Sequence, residues 1–148
     1  MAFRFRLERV RMVRERREKI AKQELARAIA ERSSVEEQLR AAEEHLERAH
    51  EHQRGVAAGG STSPSELQAH QAFLERVEAQ AGMHARELGV REEEVAARDE
   101  QLTVAAGEHE MLKRLRERRR GEHQRELARI EGNTLDEIAA RAVNRGAA

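Results

Sequence analysis

From Leu67 onward an apolar residue returns at every seventh position, Leu67, Leu74, Ala81, Leu88, Val95 and Leu102, and the next step lands on His109. A repeat of that period keeps one stripe of a helix turned toward a partner helix, which is the signature of a coiled coil. Val77, His84, Ala105 and Leu112 partly fill the second position of the repeat, while Arg91 and Arg98 interrupt it. The pattern predicts a thin coiled coil with one strong and one weak stripe.

Composition points the same way. Charged residues make up 38% of the 148 residues and aromatic residues 2%, with no Trp, Tyr or Cys to build a compact core. A globular domain is not expected from such a chain. The dominance of Ala, Glu, Arg, Leu and Gln favours long helices over disorder. Without cysteine there is no disulfide framework and no thiolate metal site, which is compatible with a reducing compartment such as the cytoplasm. The opening MAFRFRLERVRMVRERREKI interleaves arginine with its apolar residues, so it has no signal-peptide core. No apolar run approaches the roughly 20 residues that span a bilayer. The expectation is a soluble protein, peripheral to a membrane at most.

The single proline, Pro64, lies in the one stretch rich in small flexible residues, GVAAGGSTSPS over Gly55–Ser65. This is a break between two helices. Ser63 is a good N-cap, Pro64 suits the first helical position and Glu66 completes a capping box with Ser63. Before the break, Leu39, Ala42, Leu46 and Ala49 continue an apolar stripe that begins with Leu25, Ile29 and Val35. Leu7, Val10, Val13 and Ile20 extend it back almost to Phe3 and Phe5. After it, Gly132 and Asn133 read as a stop, and Thr134 with Glu137 as a second capping box. The predicted fold is all-α: a long two-helix antiparallel coiled-coil hairpin with a short C-terminal helical segment. Its helices cover about 3–54, 64–131 and 134–144, with the turn at 55–63 and the second long helix overhanging the first.

Charge is unevenly distributed along the chain. Residues 1–30 carry ten Arg or Lys against four Glu, residues 111–148 ten against six acids, and residues 31–110 eight against eighteen. In an antiparallel hairpin both basic segments meet at the end carrying the termini and the turn end is acidic, so a net charge of zero conceals two different binding ends. Such charge can simply solvate the outer faces of helices. The run KRLRERRR at Lys113–Arg120 is denser than solvation requires. It has no interleaved aromatic residues for base stacking and no zipper following it, so nucleic acid is not the expected partner.

Chemistry-bearing constellations are missing. Of seven histidines, His45, His50 and His52 lie near the turn, but His50 and His52 point to different sides of a helix and no HExxH occurs. The expectation is solvated histidines, His84 and His109 filling the seam, and no metal or other cofactor. Gly59–Gly60 lacks the Gly-Lys-Ser/Thr of a phosphate loop. No serine is set beside a histidine and a carboxylate, and exposed helical carboxylates have no burial to shift their titration. The chain reads as a non-enzyme with no catalytic residues.

Three stretches carry a family resemblance: the opening FRFRLERV, VEEQL at Val35–Leu39 and LDEIAARA at Leu135–Ala142. In order, spacing and length, over essentially all 148 residues, the chain resembles the flagellar export protein FliJ family, coiled-coil components of the bacterial flagellar type III export apparatus. The resemblance implies a central stalk. The end with both termini resembles the rotary ATPase γ-subunit coiled coil, enters the ring of the flagellar export ATPase, promotes its assembly and couples it to the membrane export gate. For the ATPase end we name Val10, Val13, Arg14 and Arg17, with Leu115, Arg118, Leu127 and Ile138. For the cytoplasmic domain of the export gate protein, the matching positions are Gln38, Ala42, His45 and Ala49 with Phe73, Val77, Gln80 and His84. At His45 and Ala49 the family's aromatic side chains are absent. The second set, spaced four, three and four, forms one helical face, although Val77 and His84 also fall in the seam. The family role includes handling export chaperones, at the inner membrane of the flagellar base, and the free chain is expected to be a monomer.

Rivals stay open: the equivalent stalk of a virulence secretion system, and a generic scaffold dimerising through the Leu67–Leu102 stripe. A seam interrupted by Arg91 and Arg98 also leaves open whether a free chain is fully helical.

Overall fold

The computed structural model describes residues 2–60 and 62–146. Two long helices, α1 over Glu8–Ala58 and α2 over Pro64–Gly146, pack against each other as an antiparallel hairpin, with no strand among the described residues.

The start of α2 is built as the sequence predicts. Ser63 Oγ accepts from the Glu66 backbone N–H at 3.2 Å, and Glu66 Oε2 accepts from the Ser63 N–H at 2.9 Å. The Ser63 backbone N–H, and then its hydroxyl, hold the Glu66 carboxyl below its ordinary value. The turn is tighter than expected, because α1 runs through Gly55 to Ala58. Gly59 N–H then donates to the carbonyls of Gly55 and Val56, each at 3.2 Å, and Gly60 at φ +70° takes the left-handed conformation that ends many helices.

Two expected boundaries shift. The chain enters α1 at Glu8 and not near residue 3: Ala2–Leu7 is non-helical, with Phe3 and Phe5 half-buried and the Phe3 ring 5.8 Å from that of His123. The chain turns into the helix where the Glu8 N–H donates to the Phe5 carbonyl at 3.1 Å and the Arg11 N–H to the Leu7 carbonyl at 2.9 Å. The stop at Gly132–Asn133 is absent. Residues 134–144 are helical as predicted, but as part of α2, which continues unbroken to Gly146. Glycine inside a helix costs only about 1 kcal/mol. Thr134 does not cap: its hydroxyl donates back to the Ile130 carbonyl at 2.8 Å, a bond internal to a continuing helix.

The chain divides into two compact units. Unit 2, Ile20–Thr103, contains every buried side chain among the described residues: Ala28, Val35, Ala42 and Ala49 on α1, seven apart, and Leu74, Val77 and Ala81 on α2. Four of these seven are alanine, so the helices approach closely over a thin core. Ile29, expected in the stripe, is exposed, and Ala28 takes the seam position. Leu67 is exposed as well. The cross-helix pairs His52–His70, Glu31–Arg91 and Glu24–Arg98 share one register, each step forward on α2 matching a step back on α1. Extended, that register sets Leu67 opposite Gly55, which has no side chain to cover it.

Arg91 and Arg98 do not open the seam. Their stems lie along it and their guanidinium groups reach its edge, Arg91 to Glu31 at 3.0 Å and Glu94 at 3.2 Å, Arg98 to Glu24 at 3.0 Å.

Unit 1, Met1–Lys19 with Val104–Ala148, is held differently. No described side chain in it is buried. The seam positions of α1 here are Arg11, Arg14 and Glu18, half-buried, while Leu7, Val10 and Val13, expected to face the partner helix, are exposed. The alternating three- and four-residue phase carried back from Leu25 falls on the charged residues. Arg14 pairs with Glu108 and Glu18 with His109, each at 2.5 Å, and Glu8 with Arg116 at 3.4 Å. Beyond Leu127 every described residue of α2 is exposed.

Because local stability follows buried apolar contact, native-state hydrogen exchange should protect amides around 28–49 and 74–95 most strongly. Residues 8–19 and 104–146 should exchange by lower-energy openings; equal protection would overturn this ranking. Ser63→Ala should lower stability by about 1 kcal/mol through loss of the N-cap. Glu66, with its carboxyl held below the ordinary 4.5, stabilises fully above that pH and loses its contribution as pH falls through the lowered value. In acid denaturation monitored by circular dichroism, Glu66→Gln should therefore lose that part of the pH dependence.

Candidate functional site: two protein-binding faces

In unit 2 the heptad sorts the predicted gate-binding residues into two groups. Ala42, Ala49 and Val77 are buried in the seam, and His84 is half-buried there with Nδ1 lacking a hydrogen-bond partner. Gln38, His45, Phe73 and Gln80 are exposed. The structure joins the exposed residues across the helices, with the His45 and Phe73 rings 5.8 Å apart and edge-to-face at 70°. Gln38 and Gln80 lie one heptad farther from the turn on the same two rows. Those rows then become acidic, with Glu31 and Glu24 on α1 and Glu87 and Glu94 on α2, the carboxylates that receive Arg91 and Arg98. One edge of the unit thus passes from an aromatic and amide patch to an ion-pair ladder. The seam residues beneath set the spacing of this patch and do not reach its surface.

In unit 1 the residues assigned to an ATPase also divide. Val10, Val13 and Arg17 form an outward row, exposed because the seam phase excludes them. Arg14 is committed to Glu108. Leu115 is half-buried and lines a cleft with Phe3, Phe5 and Leu7, and Leu127 is half-buried on α2. Arg118 and Ile138 are exposed, the latter on the stretch of α2 where Ile130 and Leu135 are exposed too.

Much of the basic charge here is paired. The Arg11 hydrogen bond and charge, with the charge of Arg116, hold Glu8 below its ordinary value, and the Arg114 hydrogen bond and then Lys113 do the same to Glu110. Nine arginines of the unit, Arg4, Arg6, Arg9, Arg16, Arg17, Arg118, Arg120, Arg125 and Arg145, make no ion pair among the described residues. Arg4, Arg6 and Arg9 line a cleft with Phe3 and Phe5. Unpaired arginines beside exposed aliphatic and aromatic side chains are what protein interfaces favour. The sequence did not separate paired from unpaired arginines; the seam phase set by Leu25, Ala28 and Val35 was the signal that could have done so.

Among the described residues no group of three or more His, Cys, Asp or Glu is placed to hold a metal ion, and no helix is long and apolar enough to cross a membrane.

The two roles of unit 2 separate experimentally. Val77 is 4% exposed and Phe73 39%. Val77→Ala should cost roughly 1–3 kcal/mol and lower the melting temperature by several degrees. Phe73→Ala should leave helicity and thermal unfolding nearly unchanged. Comparable destabilisation by both would make Phe73 a core residue.

The chain matches no curated protein and no solved structure. A family model does match it, that of the flagellar FliJ protein, over residues 3–148. With that match covering nearly the whole of a two-helix hairpin, the chain belongs to the FliJ family and is a component of the flagellar protein export apparatus.

Proposed function

We propose that the protein is the non-enzymatic central stalk of the export ATPase complex, binding the ATPase ring through unit 1, promoting ring assembly and coupling the ring to the export gate through unit 2. The observation that carries this reading is the outward row of Val10, Val13 and Arg17, apolar side chains left outside the hairpin seam next to unpaired arginines. A helix stabilised only by its own hairpin has no use for that row. Val10, Val13, Arg17 and Arg118 make the primary ring contact, with Ile138 on the uncovered stretch of α2. Arg14, Leu115 and Leu127 support it from within the unit.

At the gate, Gln38, His45, Phe73 and Gln80 make the contact with the cytoplasmic domain of the gate protein, while Ala42, Ala49, Val77 and His84 hold that edge in place. The protein works in the cytoplasm, peripherally at the inner membrane of the flagellar base, and hands on export chaperones. A scaffold that dimerises through the Leu67–Leu102 stripe is disfavoured, since Leu74 and Ala81 of that stripe are buried and Leu88, Val95 and Leu102 half-buried in the same chain, which leaves only Leu67 exposed. The free protein should accordingly scatter light as a monomer.

The test is ATP hydrolysis and oligomeric state of the flagellar export ATPase of the same organism, with and without this protein. Stimulated turnover with more ring is expected. Val13→Glu with Arg17→Glu should abolish the stimulation at unchanged helicity, because both side chains are exposed. Phe73→Ala should leave it intact while weakening capture of the gate domain by about tenfold, near 1.4 kcal/mol. No stimulation and no co-migration by the unmodified protein would defeat the stalk reading.

A further inference from the structure

His52 and His70 are eighteen residues apart in the chain. Antiparallel pairing at the turn end of unit 2 brings their rings to a centroid separation of 5.2 Å with planes inclined at 55°. Two imidazoles sharing one tetrahedral ion, at a metal–nitrogen distance of about 2.05 Å, have centroids roughly 5.2 Å apart. The observed separation equals that value, so the helix spacing suits an ion shared by the two rings. His52 is exposed and His70 half-buried, so an ion can reach both. Neither ring makes a hydrogen bond or ion pair with another described residue, in contrast to His109, which is engaged with Glu18. The ring nitrogens are free to act as ligands. Glu66 lies one helical turn before His70, adding negative charge near the pair.

We propose that His52 and His70 form a transition-metal clasp, a two-histidine site for Zn²⁺, Ni²⁺ or Cu²⁺ that joins α1 to α2 beside the turn. Imidazole suits these ions, and their affinities follow the order in which Cu²⁺ binds most tightly. No third His, Cys, Asp or Glu among the described residues joins the pair, so water completes the coordination and the affinity is modest. Sequence spacing gave no hint of the site, because it tests residues on one helix and this pair spans two. The clasp lies on the same edge as His45, one heptad before His52, and so fastens the exposed patch that includes Phe73. The inference stands apart from the stalk reading and does not require an ATPase or a gate.

The full chain, freed of any affinity tag, should be titrated with Zn²⁺ and with Ni²⁺ by calorimetry and followed by thermal unfolding. One ion per chain is expected. At a metal concentration about a hundredfold above the dissociation constant, the melting temperature should rise by roughly 5–10 °C. His52→Gln or His70→Gln should each weaken binding at least about tenfold by removing one of two ligands, while His50→Gln, which alters the histidine nearest in sequence, should bind as the unmodified chain does. All three substitutions are at the hairpin surface, and circular dichroism without metal should be alike for all. Absence of saturable binding, binding retained by His52→Gln or His70→Gln, or equal loss in His50→Gln overturns the clasp.

Discussion

The close contact of a few small side chains underlies everything else in this structure. Ala28, Val35, Ala42 and Ala49 return at every seventh position of α1, and Leu74, Val77 and Ala81 meet them from α2. Burying a Leu or Val side chain contributes about 1.5–3 kcal/mol, and an alanine much less. Such a seam is stable by length and close approach, and not by volume. It leaves little room for error in register, because a shift by one residue would bring Arg27 and Arg48, or Glu36 and Glu43, into the seam.

The seam also accommodates charge without losing its continuity. Arg91 and Arg98 occupy apolar positions, yet each lays its stem along the contact and carries its guanidinium to a glutamate at the edge. In unit 1 the same solution is carried further, with Arg14, Glu18 and His109 forming the contact itself. Partly exposed ion pairs contribute little to stability. Unit 1 is therefore the more weakly packed part, and unit 2 the part that holds the buried apolar contact.

The binding faces follow from the same accounting of positions. Residues assigned to the seam are unavailable to partners, and those excluded from it are exposed whatever their polarity. Val10 and Val13 are exposed because the three- and four-residue alternation carried back from Leu25 passes them by. Gln38, His45, Phe73 and Gln80 are exposed because they flank the buried Ala42, Ala49 and Val77.

The two long helices, the break between them, the capping box at Ser63–Glu66 and the seam from Leu74 to Leu102 were legible in the amino-acid order, because these depend on local backbone chemistry and on a seven-residue period that is visible in one dimension. The sequence also carried the family, through FRFRLERV, VEEQL and LDEIAARA. It misassigned Val10, Val13, Ile20 and Ile29 to the seam, since apolarity alone does not reveal helical phase where charged residues share the stripe, and Leu7, though in phase, precedes the helix. It also read Gly132–Asn133 as a stop, when an exposed helix can carry a glycine at small cost. Which arginines are paired, which of the residues proposed for the gate reach the surface, and that His52 meets His70 became visible only in the folded chain. Each of these depends on the register between two antiparallel helices, and that register is set by how alanines and leucines interlock across the seam, a relation between distant segments that spacing along either one does not contain.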